Sequence, residues 1–106
     1  MPKYLMEVRY NAEAVKGVTR DGGTGRRDAA RKVVEGLGGK LETFYFAFGA
    51  VDAFVICDLP DEASAIAVSL AVNQTGLISG RTVVLVVPET VDSATKIIPA
   101  FRAPGQ

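Results

Sequence analysis

The stretch LETFYFAF-GAVD-AFVICDL-PDEASAIAVSLAVN, residues 41–73, decides the fold. Its two runs of aromatic and β-branched residues, 41–48 and 53–59, suit a pleated surface. Gly49 and Asp52 supply turn chemistry between them, so the runs read as an antiparallel hairpin. Pro60 has no N–H to give to a ladder and stops the second strand. Asp61 then caps a helix over residues 62–73. That helix is apolar almost all round, through Ala63, Ile66, Ala67, Val68, Leu70, Ala71 and Val72, so it needs cover on more than one side.

On the N-terminal side, YLMEVRY (residues 4–10) alternates with period two and predicts a strand with Tyr4, Met6, Val8 and Tyr10 on one face and Leu5, Glu7 and Arg9 on the other. Asn11 can cap a short helical stretch over 12–17, residues 19–23 read as a loop, and Ala30, Val33, Val34 and Leu37 mark a main helix that ends at Gly38-Gly39. On the C-terminal side, Gly76 closes the second helix, residues 81–87 form a fourth strand, and Pro88 can begin a short final helix. The order strand, helix, strand, strand, helix, strand is the ferredoxin-like βαββαβ pattern: an α+β domain over residues 1–90 with a four-stranded antiparallel sheet and two helices on one face, followed by a tail over 91–106.

Composition removes whole reaction classes. The 106 residues carry twelve basic and twelve acidic side chains, no histidine and one cysteine. Without net charge there is no long-range field to concentrate nucleic acid or an anionic membrane, and neither is expected as a partner. The apolar run 83–87 is far too short to span lipid, and no leader precedes the first strand, which predicts a cytoplasmic protein. A Ser-His-Asp or Cys-His relay and His-ligated metals are impossible within the chain, and no cofactor-binding pattern is present; Gly22-Gly23-Thr24-Gly25 lacks both the lysine of a P-loop and the order of dinucleotide folds.

A sheet with helices on one side leaves its other face bare. Alternation assigns Met6, Val8, Leu41, Tyr45, Val55, Cys57, Leu59, Val83 and Leu85 to the helices. Leu5, Glu7, Arg9, Glu42, Phe44, Phe46, Phe48, Phe54, Ile56, Asp58, Thr82, Val84 and Val86 then fall on the bare face. The second set is too apolar for water, which predicts a homodimer or a higher even oligomer through that face.

The opening strand with Tyr4 and Tyr10, Gly38-Gly39-Lys40-Leu41, Gly49 with Asp52, Leu59-Pro60-Asp61 and Gly76 together resemble the GYD domain family over residues 2–89. The resemblance implies a dimeric α-β barrel of ferredoxin-like fold and supplies no activity. The family motif places glycine, tyrosine and aspartate at the hairpin; Gly49 and Asp52 match, and Val51 stands at the tyrosine position.

Within this frame Glu7, Arg9 and Asp58 are the candidate catalytic set. Two carboxylates with a guanidinium can bind an anionic or enolisable molecule, one carboxylate acting as base; the alternative is an interface ion pair. Phe44, Phe46, Phe54, Tyr45 and Asp52 are the candidate ligand contacts, although aspartate in a turn commonly bonds its own backbone and tyrosine in a half-buried strand commonly packs. Cys57, between Val55 and Leu59 on its face, reads as inert. Arg26, Arg27, Arg31 and Lys32 read as a solvated helix face. The expected function is the binding of a small apolar or aromatic molecule, with cofactor-free catalysis open, against a non-catalytic sensing or assembly module with a dry sheet-to-sheet interface.

Overall fold

The computed structural model describes residues 1–106. The elements are β1 (Lys3–Tyr10), α1 (Ala12–Gly36), β2 (Lys40–Phe46), β3 (Ala53–Asp58), α2 (Glu62–Asn73), β4 (Ile78–Leu85) and α3 (Pro88–Thr95). The four strands form one antiparallel sheet in the order β2-β3-β1-β4, the ferredoxin-like arrangement, with α1 and α2 on one face. The core lies between sheet and helices: Tyr4, Met6, Leu41, Val55 and Cys57 from the strands meet Val34 of α1 and Ala65 and Val68 of α2, with Leu59 fully buried beside them.

Helix α1 departs from the sequence expectation. No loop separates two helices; the helix runs from Ala12 with a single interruption at Gly22, whose φ of 76° and ψ of 164° belong to a region that glycine alone visits freely. Asn11 fixes the start of α1: its Oδ1 accepts from the Ala14 N–H at 2.9 Å, and its Nδ2 donates to the Gly76 carbonyl at 3.0 Å, tying the helix to the α2–β4 turn. The break re-aims the second part of α1 so that Gly23 lies against the ring of Phe46, where a Cβ would stand 3.2 Å away.

Register corrects half of the expected sheet faces. In β1 and β3 alternation is unbroken, and Leu5, Glu7, Arg9, Phe54, Ile56 and Asp58 occupy the bare face as expected. In β2 a bulge between Leu41 and Thr43 shifts the parity, so Phe44 pairs with Val55 and Phe46 with Ala53 on the helix side, and Tyr45 pairs with Phe54 on the bare side. β4 begins at Ile78 rather than residue 81, and pairing of Tyr4 with Val84 and of Leu5 with Val83 turns Thr82 and Val84 toward the helices and Val83 and Leu85 away from them. A run of β-branched residues carries no alternation that could have fixed this register.

Candidate functional site

The two helices do not close over the sheet. α1 lies over β2 and β1 while α2 leans toward β4. Between them a cavity of about 300 Å³ is floored by Met6, Val8, Phe44 and Val55 and walled by Ala30 and Val33 of α1 and Val68 and Val72 of α2. Twelve of its thirteen lining residues are hydrophobic, and Arg26 is the only charged one. A concave, largely apolar space with one or two convergent polar groups is the usual form of a small-molecule site.

Arg26 reaches the cavity because it stands four and seven residues before Ala30 and Val33, on the face of α1 that walls it. Its guanidinium lies 3.5 Å from Asp21, an ion pair open to solvent and therefore weak. The Tyr10 hydroxyl is the second polar group. Burial pushes its pKa above the ordinary value of 10.0, with the nearby Arg26 charge opposing the shift, so the phenol stays protonated through neutral pH. Tyr10 packs on Phe46 at a ring separation of 6.4 Å, and Phe46 in turn meets Phe44 edge-on at 5.1 Å and stacks on Phe48 at 5.6 Å. Aromatic rings thus line one end of the cavity and the approach to it.

Of the residues singled out from sequence, Phe44 lines this cavity and Phe46 backs it, on the face opposite to the one expected. Tyr45 and Phe54 are cross-strand partners on the bare face. The Asp52 carboxylate accepts from the Tyr10 N–H at 2.8 Å while its own N–H donates to the Val8 carbonyl, which ties the hairpin to the end of β1. Glu7 and Arg9 share the bare face and line a polar hollow of about 320 Å³ with Val51 and Arg81; Arg81 stands 3.6 Å from Glu7. Val51, at the tyrosine position of the family motif, therefore puts an apolar side chain beside these charges. Asp58 is not part of that group. It lies opposite Lys3, about 13 Å along β1 from Glu7, and Lys3 donates to Asp58 at 2.9 Å and to Glu42 at 3.0 Å. These bonds, the one to Asp58 first, raise the Lys3 pKa.

Two residues of consequence were missed from sequence. Arg26 sits among alternating charges that read as solvent-facing, yet it stands four and seven residues before Ala30 and Val33 on the stripe that faces the sheet, and that spacing was the signal that could have found it. Arg81 marked the expected strand start, so its partner across the ladder could not be assigned. The Cys57 thiol is fully buried and its pKa is raised by that burial, as expected of an inert thiol.

The GYD domain model matches residues 4–95. The chain belongs to the GYD domain family. No curated protein and no solved structure matched it. The match runs from Tyr4 in β1 through every later strand and helix of this GYD domain and stops at the end of α3. No helix is long and apolar enough to cross a membrane.

Proposed function

We propose that this GYD domain binds a small apolar or aromatic molecule carrying one anionic end, seated between α1, α2 and the sheet. The observation that supports this reading is the apolar cavity with a single charged group at its rim. The hydrophobic part of the ligand would cover Phe44, Val33, Val68 and Val72. Its anion would take the Arg26 guanidinium from Asp21, at little cost because that exposed pair is weak, and accept from the Tyr10 hydroxyl.

Binding of 2-naphthoate and of its neutral isostere 2-naphthamide, followed by NMR and calorimetry, tests the reading. Both are expected to shift resonances of Val33, Val68 and Val72, with the naphthoate binding more tightly. Arg26→Met is expected to weaken naphthoate by about tenfold or more, the size of a lost charge-assisted hydrogen bond, and to leave naphthamide unchanged. Failure of both probes to perturb the cavity residues would overturn the proposal.

A second reading is favoured by the bare face. Cross-strand pairing places Thr43, Ile56, Leu5 and Val83 in one row across the sheet, flanked by Glu7 and Arg81 in the next row and by Lys3 and Asp58 at the other end. In this reading two copies pair sheet to sheet, as an assembly or sensing module, with Glu7, Arg9 and Asp58 as interface charges rather than catalytic groups.

A further inference from the structure

The C-terminal segment stands off the body of its own chain. Helix α3 buries no residue, and beyond it Ile97, Ile98 and Phe101 are 80%, 74% and 83% exposed. The radius of gyration is 17.0 Å, against about 13 Å for a compact chain of this length, and the long axis reaches 56 Å. The accessible surface of 7323 Å² exceeds by about 1600 Å² the roughly 5700 Å² expected of a compact monomer of 11.2 kDa. That excess is enough for a specific interface, which takes about 800 Å² from each partner.

The same chain carries an unfilled counterpart. α2 buries Ala65 and Val68 inward, while Ile66 and Leu70, one turn apart on its outer side, are 58% and 64% exposed. With Tyr4 and Val84 of the sheet they line a groove of about 360 Å³, rimmed by Ser69 and Thr82. This groove is separate from the cavity described above, which opens between α1 and α2. It accounts for a helix that is apolar on nearly every side.

We propose that residues 96–106 form an arm that seats Ile97, Ile98 and Phe101 in the α2/β4 groove of a second copy of this chain. The arm makes only local backbone hydrogen bonds, from Lys96 to Ser93, from Ile97 to Ala94 and from Gln106 to Ala103, so no hydrogen bond ties it to the sheet or to α1 and α2. One arm and one groove per chain satisfy each other by reciprocal exchange, which closes as a two-fold pair. The arm beyond Thr95 lies outside the family match.

The test joins thiols placed on two chains. A tagged chain with Arg102→Cys, which keeps all three anchors, is co-expressed with an untagged chain carrying Ser69→Cys, and the purified pair is treated with a short bismaleimide; Cys57 is buried and does not compete. The expected product is a tagged–untagged cross-link between residues 102 and 69. Leu70→Asp in the untagged chain should lower its yield about tenfold. Absence of the link, a yield indifferent to Leu70→Asp, or a double variant Ser69→Cys/Arg102→Cys that links within single chains would each overturn the proposal.

Discussion

Gly39 shows how one residue limits the approach of two elements. It follows Gly38, whose φ of 83° lies in the left-handed region, and its N–H donates to the Val34 carbonyl at 2.9 Å to end α1. A methyl group on Gly39 would overlap the Asp58 carbonyl oxygen and press on Leu59 and Val34. Backbone cannot yield as a flexible side chain does. Gly39→Ala is therefore expected to cost about 2–3 kcal/mol in urea unfolding, whereas Gly36→Ala, with nothing within 4 Å, should be neutral or slightly stabilising. Equal effects would show that helix termination, not close approach, sets the requirement. The need for glycine at the helix end was legible from the dipeptide; which glycine touches β3 was not, because that contact joins positions distant in sequence. Arg26 is the opposite case at the candidate site: its spacing to Ala30 and Val33 already placed it on the inward stripe, and its charge alone made it read as solvated.

At the scale of elements, α2 was the most legible. Pro60 and Asp61 announce its start, and the Asp61 carboxylate accepts from the Ser64 hydroxyl at 2.7 Å and from the Ser64 N–H at 2.8 Å. These bonds, the hydroxyl first, lower the Asp61 pKa below its ordinary 3.8. Because the folded value lies below the unfolded one, the stability contributed by the charged cap is complete above 3.8 and is lost as pH falls through the folded value. The difference in thermal midpoint between the natural chain and Asp61→Ala should accordingly be constant above roughly pH 5 and shrink steadily below about pH 4. A difference that persists undiminished at the acid end would mean that the cap acts without its charge. Strands β1 and β3 were equally legible, since their alternation is unbroken. β2 and β4 were not: a bulge at Glu42 leaves no mark in the pattern of an aromatic strand, and Thr82 to Val86 would suit either face of a sheet.

For the whole molecule, a sheet covered on one side has a second side that must meet water or another protein. Leu5, Ile56 and Val83 are cross-strand neighbours at the centre of that side and each is only half-buried within the chain. The charges of Lys3, Asp58, Glu7 and Arg81 lie toward its ends. A dry centre between charged ends is how a specific interface is built, with burial supplying affinity and the charges fixing orientation. Ile56→Asp places a carboxylate in that centre without touching the helix-facing core, because Ile56 points opposite to Val55 and Cys57. If two copies pair through this face, sedimentation over a range of concentrations should show the variant losing the sheet-to-sheet contact, with weakening of at least about a hundredfold for an unpaired buried charge, while circular dichroism retains the native helix and strand content. The arm–groove cross-link of residues 102 and 69 should survive the same substitution, since it uses the opposite side of the sheet. An Ile56→Asp variant that sediments as the same oligomer as the natural chain would leave the bare face to solvent and make the α2/β4 groove the surface through which copies meet, whereas a natural chain that sediments as a monomer would overturn both contacts.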